Sequence, residues 1–483
     1  MEISVKYLPV ATVCFLLLTI IITLCLSLSN KHVVGSLPYI SDTGTIFPES
    51  CIFGQALNIL WLLHTISWIV YIKYKQVRDI LSRYDIKHKK KVNKICLQIG
   101  LAAAFGVSLA ANFQETNLFY IHWCGIFLSF GLGAVYQCME ASTYCILYVT
   151  LRKILGQKKI TYLRIILSAF SVITFIIFFI CAIIAYKQKE DDNYLIWSQE
   201  DGGFVSHNIS VISEWICAIS TLLNIGLLHW EFKKITLYEP DVFVEDKITT
   251  EMNMERTNKV TQGHVSDSIP YISDTGTLPP ESCIFGQALN ILWVIISLIM
   301  YIKYLQVNYL LNKFNMGDHQ DLNRRTLDVG LFAAFGSSIV ANFQETNLFL
   351  IHWGGAVTVF GIGAAYQCMQ TILYVRLIPV LGQKKLTKVR IGLATLSSLS
   401  FLVFFVAALM SYYQKRVNDN YLHWKRDDGG YELHNVSVIF EWICASSTMA
   451  YLTLFLEEFK NITLNAPDVY TTDGHISIEE REK

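Results

Sequence analysis

The sequence predicts an all-α, polytopic transmembrane helical bundle of two tandem modules, with six spans in the first and five in the second. Three observations carry this expectation. The 483 residues are 53% hydrophobic and only 16% charged, a balance too apolar for soluble globules. Eleven apolar runs approach the roughly 20 residues a helix needs to cross hydrocarbon, where no backbone amide can stay unpaired. An ordered set of motifs occurs twice, which marks a duplication.

The first run, 8–28, follows Lys6 and precedes Val33-Val34-Gly35, which resembles a signal-peptidase site. It is too long for the core of a signal peptide and reads as a retained anchor. Runs at 52–72, 95–111, 118–149, 163–186 and 209–230 complete a first module over 1–232. Residues 233–269 are polar and charged with no long apolar run, so they read as a solvated cytoplasmic linker or a disordered segment. A second module over 270–457 holds runs at 284–302, 327–341, 348–373, 389–413 and 436–456, and a polar tail covers 458–483. Nothing in the second module corresponds to the first run.

The duplication is legible motif by motif. Residues 39–45 (YISDTGT) return at 271–277, and 48–61 return letter for letter at 280–293. ANFQETNLF at 111–119 recurs at 341–349, LGQKK at 155–159 recurs at 381–385, and EWICA at 214–218 recurs at 441–445.

Formal net charge is zero, from 39 basic and 39 acidic residues, so no bulk attraction to nucleic acid is expected. Local charge orients the modules, because Lys and Arg concentrate on cytoplasmic loops. Residues 73–94 carry nine and 152–164 five, against three across 30–50, 113–117 and 187–206. This places both ends of the first module in the cytoplasm and the YISDTGT segment in the lumen. The second module repeats the bias more weakly, with four in 303–325 and five in 376–390 against four on its opposite side. Five spans after a linker that does not cross would nevertheless turn it upside down. Either it inserts inverted, or the continuous chain joins two neighbouring duplicated genes with one exon lost; the matching charge pattern favours the second.

Ionisable groups inside spans are costly and are therefore candidates for function. His122 and His352 lie in the fourth-helix run of their modules. His207 and Glu214 are seven residues apart, two turns of one helix, and His434 and Glu441 repeat the spacing. These six residues form a candidate intramembrane polar site. They read as interhelical hydrogen bonds that hold the bundle together, the simpler alternative, or as a proton relay or ligand site. A candidate lumenal loop site comprises Asp42, Glu49, Asn112 and Gln114, with Asp274, Glu281, Asn342 and Gln344 in the second module. Asn112, Gln114 and Glu115 read first as turn formers, and Asp42 and Glu49 as a solvated loop that could bind a cation or head group. Gly131 and Gly133, with Gly361 and Gly363, read as small residues that let helices approach closely. Glu140 and Gln370 differ, so no mechanism shared by both modules depends on them. Asn208-Ile-Ser and Asn435-Val-Ser are sequons for N-glycosylation if lumenal. The twelve cysteines contain no Cys-x-x-Cys pair, and most read as small buried hydrophobes. No paired metal-ligand motif, phosphate loop or nucleophile elbow occurs, so no enzyme, metal or cofactor is expected.

PYISDTGT followed by Pro, Glu and Cys, then ANFQ, then His122 with FGLG after it, and finally His207 with Glu214-Trp215, resembles the DNA damage-regulated autophagy modulator (DRAM) family. The resemblance covers all six spans of the first module and everything after the first span in the second. It implies a six-helix protein of lysosomal and endosomal membranes that promotes autophagy, with links to apoptosis. It also implies membrane lipids and other membrane proteins as partners, with oligomeric state left open. The wider superfamily includes relatives tied to lipid handling and to remodelling of glycosylphosphatidylinositol anchors. The family supplies no catalytic residues to carry over. The tail 457–483 shows no tyrosine or dileucine sorting signal, so the lysosomal address rests on the resemblance.

Overall fold

The computed structural model describes residues 2–33, 37–62, 65–86, 89–150, 158–190, 195–238, 242–244, 270–381, 384–415, 424, 426–460, 462–464 and 469–471. The chain divides into two compact units, one of Met1–Pro240 with Pro467–Lys483 and the other of Asp241–Ala466.

Apolar runs of membrane length form the helices, as expected where lipid denies the backbone any other partner. In the first unit these are α1 (Leu8–Ser29), α2 (Glu49–Leu62), α3 (Thr65–Arg83), α4 (Lys90–Asn112), α5 (Phe119–Ile126), α6 (Gly133–Thr150), α7 (Lys158–Gln188), α8 (Phe204–Leu227) and α9 (His229–Phe232). The second unit holds α10 (Glu281–Lys313), α11 (Gln320–Asn342), α12 (Phe349–Val357), α13 (Gly363–Leu381), α14 (Lys384–Gln414) and α15 (Tyr431–Phe459). A π-helical turn joins α5 to α6 over Phe127–Leu132, and another joins α12 to α13 over Thr358–Ile362. Each pair therefore runs as one near-continuous span.

Among the described residues nine helices are long and apolar enough to cross a membrane, five in the first unit and four in the second. Of the eleven runs expected, two fall short. The second run is divided between α2 and α3, on either side of residues 63–64, which lie outside the described residues. Helix α11 has the length, but Arg324, Arg325 and Asp328 dilute its hydropathy. Lipid-facing stripes are plain on α7, where Ile166, Phe170, Ile173 and Ile180 are exposed, and on α14, where Leu396, Leu399, Leu402 and Val406 are. This is a multi-pass integral membrane protein.

The segment read as an unstructured linker differs from that reading. Among the described residues there are five short strands: β1 (Glu2–Ser4), β2 (Ile235–Tyr238), β3 (Val242–Val244), β4 (Ile462–Leu464) and β5 (Val469–Thr471). Two of them, β2 and β3, lie inside 233–269. In the first unit β2 pairs antiparallel with β1 (Ile3 opposite Leu237) and with β5 (Thr236 opposite Tyr470). In the second unit β3 pairs antiparallel with β4 (Phe243 opposite Thr463). Ile-Thr-Leu-Tyr and Ile-Thr-Leu alternate apolar and polar groups over too few residues to register as runs, yet they suit a half-buried strand. Ile235 and Leu237 pack with Val5, Ile69, Ile72, Leu228 and Phe232, which closes one end of the first bundle.

Glycine is obligatory where the chain enters α8 and α15. Gly203 and Gly430 each have φ of +83°, a left-handed conformation that a side chain disfavours. Of the expected packing glycines, Gly131 and Gly361 approach the rings of Phe175 and Phe401, as the packing reading requires. Gly133 and Gly363 do not: a Cβ at either would meet nothing within 4 Å. The close helix crossing is at Gly106 and Gly125, where added Cβ atoms would lie 2.6 Å from the amides of Ser129 and Ala110.

Candidate functional site

Each module buries polar groups near both ends of its bundle. Glu214 and Glu231 are seventeen residues apart on the nearly continuous α8–α9, so about 25 Å separates the two regions.

At the first end the segment 38–45, with a 3-10 turn at Asp42–Gly44, straps the helices together. Glu214 Oε2 accepts the Ile40 amide at 2.9 Å, the Trp215 indole donates to the Pro38 carbonyl at 2.9 Å, and the Thr23 and Thr43 hydroxyls are bonded at 3.0 Å. Gly44 has no room for a side chain, since a Cβ would sit 2.3 Å from the Phe53 ring. The second module repeats the device: Ile272 N donates to Glu441 Oε2 at 2.8 Å and Trp442 Nε1 to the Pro270 carbonyl at 3.0 Å.

Beneath the strap lie carboxyl groups from three elements: Asp42, Glu115 from the turn after α4, and Glu214. Tyr186 of α7 donates its hydroxyl to Glu115. Asp42 is hydrogen-bonded to Glu115 and to the Tyr39 amide, and burial, with Glu115 and Glu214 beside it, pushes its carboxyl well above the usual range. The second module pairs Asp274 with Glu345. Burial pushes Asp274 up to about 6, and burial together with Asp274 holds Glu345 well above its ordinary value. Asp42 in the first module and Glu345 in the second are thus the carboxyls that burial and a neighbouring acid favour in the protonated form.

The sign of the resulting pH dependence follows from linkage. A carboxyl whose folded pKa is raised binds more protons folded than unfolded, so its stabilisation is present at acid pH and lost as pH rises through the folded value. In thermal unfolding, the stability of the wild type relative to Asp274→Asn should fall as pH rises from 4 through about 6. A difference that does not change over this range would contradict the carboxyl-pair geometry.

The histidines fall into two roles. His207 stacks on Trp197 at 4.1 Å and meets the edge of Tyr39 at 5.0 Å, and Lys189 lies 4.3 Å from the Trp197 centroid. His434, Trp424, Tyr271 and Lys415 repeat this stack, at 4.1, 4.9 and 3.9 Å. His207 and Glu214 are both buried in α8, on one face as their spacing requires. His122 and His352 instead close a turn, each donating Nδ1–H to the carbonyl of Phe113 or Phe343, at 2.7 and 2.6 Å.

The residues read as one lumenal loop site are divided by the structure. Asn112 is not in a surface turn: it ends α4, buried, and exchanges two 3.0 Å hydrogen bonds with Asn58, which also accepts from Ser108. Asn342 does the same with Asn290 and Ser338. Two amides so paired satisfy each other where lipid offers nothing, which is a helix-joining role. Gln114 and Gln344 accept from Asn117 and Asn347, at 2.8 and 2.6 Å, and so close their own loops. Glu49 stands apart from Asp42, bonded to Asn30 at 2.7 Å and to His32 at 3.1 Å. Glu281 occupies the matching position in the second module, where the residue in register with His32 is His264, outside the described residues. Asn208 and Asn435 follow His207 and His434 in the first turns of α8 and α15, half-buried. Among the described residues searched, no group of three or more His, Cys, Asp or Glu could hold a metal ion.

The second region is a buried charge cluster. Lys73 Nζ lies 2.5 Å from Glu231, 3.5 Å from Glu140 and 3.1 Å from Gln76, while Arg164 lies 2.5 Å from Glu231 and 3.8 Å from Glu140. Both cations sit over the Tyr144 ring, at 4.3 and 4.9 Å. In the second module Lys303 and Arg390 converge on Glu458, with Tyr374 donating to the same carboxylate. Gln370 stands where the first module has Glu140. Two cations therefore share one carboxylate there, against two in the first module.

A family described as the Frag1/DRAM/Sfk1/Cwh43P N-terminal domain matches residues 4–235 and again 246–462. The chain belongs to this family. Individual relatives of the Frag1/DRAM family align with 205 to 212 residues of this chain. DNA damage-regulated autophagy modulator protein 2 of Mus musculus is 37% identical over 207 residues, 42% of this chain and 77% of that protein. DNA damage-regulated autophagy modulator protein 1 of Homo sapiens is 33% identical over 205 residues, 42% of this chain and 83% of that protein. Modulator of macroautophagy TMEM150B-B of Xenopus laevis is 32% identical over 212 residues, 44% and 76% of the two chains. No solved structure matches.

Sequence reasoning missed the charge cluster of the Frag1/DRAM module. Lys73, Arg164, Lys303 and Arg390 were all counted among loop charges, although each is 2% exposed or less. The duplication held the signal: Tyr-Ile-Lys-Tyr-x-Gln-Val recurs at 71–77 and 301–307, and Glu-Phe-Lys at 231–233 and 458–460.

Proposed function

We propose that this chain is a non-enzymatic regulator of autophagy in lysosomal or endosomal membranes, with a link to apoptosis, acting through lipids and membrane partners that meet the strapped end of its modules in the lumen. The supporting observation is the likeness to two proteins named as autophagy modulators, spanning 77% and 83% of their lengths. The strap, its acids and the histidine stack are what such partners would sense, since these groups are built alike in both modules.

The test is loss and rescue. Cells lacking the chain should show reduced autophagic flux, restored by re-expression and by Glu49→Gln, but not by Glu214→Leu inserted at normal levels. Normal flux without the chain, or full rescue by every variant altered at Asp42, His122, His207 or Glu214, would reject this reading. Endogenous tagging checks the compartment, and glycan on Asn208 or Asn435 checks which side the strap faces.

A second reading is lipid transport, regulation of scrambling or remodelling of glycosylphosphatidylinositol anchors. An apolar cavity along the axis of the first module favours it. It predicts altered leaflet distribution or anchor lipids on loss of the chain, with flux affected only secondarily.

A further inference from the structure

That cavity is about 200 Å³ and is walled mainly by Leu16, Ile20, Leu57, Ile69, Val107 and Leu222, from α1, α2, α3, α4 and α8. It runs from Ile40 and Glu214 under the strap toward Tyr136, Glu140 and Arg164 at the charge cluster. Gly133 borders it, and a Cβ added there would meet nothing within 4 Å.

Left unfilled, such a volume costs its lining dispersion contacts on one side, so an apolar occupant is favoured. Water is a poor occupant of the apolar stretch, since it needs two to four polar partners. The amides along the wall are already engaged with each other: Gln137 donates to Thr221 at 3.0 Å and accepts from Asn224 at 2.9 Å. In a bilayer the abundant occupant is hydrocarbon. An apolar cavity of about 150 Å³ takes up benzene, so this one suits a stretch of a single chain and is too small for a sterol ring system.

The cluster end specifies a head group. Tyr136 and Glu140 are four residues apart, on one face of α6. The Tyr136 hydroxyl and Glu140 Oε2 are buried with no hydrogen-bond partner among the described residues, and Glu140 is only 8% exposed. Lys73 and Arg164 balance the charge of Glu140 from 3.5 and 3.8 Å without hydrogen-bond geometry. A hydroxyl would answer both atoms, donating to the carboxylate and accepting from the phenol. A charged head would not, because Lys73 and Arg164 already balance Glu140 and Glu231, and an added charge would be left unpaired in a low-dielectric interior.

We propose that the first module binds one hydrocarbon chain of an uncharged, hydroxyl-headed membrane lipid in its axial cavity, with the hydroxyl between Tyr136 and Glu140. The site belongs to the first module alone, since the second has no α1 to supply Leu16 and Ile20 and carries Gln370 in place of Glu140. It extends the lipid reading above, but binding by purified protein requires neither transport nor a role in autophagy, so the two can fail separately.

Diacylglycerol and ceramide share this chemistry, and the experiment separates them. Full-length protein in nanodiscs is irradiated with diazirine-bearing diacylglycerol, ceramide or fatty acid, and labelled peptides are located by mass spectrometry. Either hydroxyl lipid should label peptides of α4 or α6, and whichever labels more strongly is the source. Fatty-acid anion should label at least tenfold less. Gly133→Phe fills the void and should cut labelling about tenfold while leaving the melting temperature unchanged or higher; Gly133→Leu serves if the larger ring prevents folding. Labelling unaffected in a folded Gly133 variant would overturn the site. Equal labelling by the fatty-acid anion would overturn the head-group assignment.

Discussion

Replacing Glu458 with alanine is expected to be the most damaging single change in the second module. Lys303 and Arg390, both fully buried, share that one carboxylate, and removing it leaves two cations in the interior with no counter-ion. Breaking a buried pair from one side typically costs roughly 3–5 kcal/mol, because the charge left behind has lost water and partner together. For a unit of this size that is a fall of about 10 °C in melting temperature, read by thermal unfolding in detergent. Glu231→Ala should cost less, since Glu140 remains 3.5 Å from Lys73 and 3.8 Å from Arg164. Glu140→Gln reproduces the second module's residue and should cost least. Gln370→Glu supplies the missing carboxylate and should raise the melting temperature. Equal losses for Glu231→Ala and Glu458→Ala would show that the difference in charge balance carries no energy.

Glu214→Leu is expected to release the strap of the first module. The buried Ile40 amide would lose its acceptor, an unsatisfied donor costing about 1–3 kcal/mol. Glu214→Gln keeps an acceptor oxygen and should be close to neutral. Glu441→Leu and Glu441→Gln should behave alike at Ile272. Protease accessibility of 38–45 separates the variants: cleavage should rise only in Glu214→Leu. Equal cleavage of the Leu and Gln variants would remove the carboxyl as the anchor.

The helices and the duplication were legible because apolar length and motif order are one-dimensional properties. Glu214 and His207 were also readable, since their seven-residue spacing lies within a single helix. Asn112 was misjudged because its partner, Asn58, is distant in sequence, and a polar residue beside Gln114 and Glu115 looks like a turn former until the partner is seen. Glu115 was named only as a turn former, although Asp42 and Tyr186 meet there from two other elements. The charge cluster escaped for another reason: a tally of loop charges treats every Lys and Arg near a helix end as solvated, whereas Lys73 and Arg164 point inward. Comparing the copies position by position would have exposed them. A loop cation needs no fixed position, yet these recur in register with a glutamate and an aromatic.

The three-stranded sheet has a consequence for how the chain can be cut. Its edge strand β5 comes from the far end of the sequence, and β1 and β2 from the first module, so the first compact unit is completed only by residues 467–483. Stopping the chain after Pro240 would strip the first module of an edge strand, while excising 241–466 and joining its flanks would retain all three strands. The compact units therefore do not coincide with the two sequence copies: Ile-Thr-Leu-x-x-Pro-Asp-Val occurs at 235–242 and again at 462–469, and in each unit the strand that follows Pro-Asp-Val pairs with the Ile-Thr-Leu strand of the other copy.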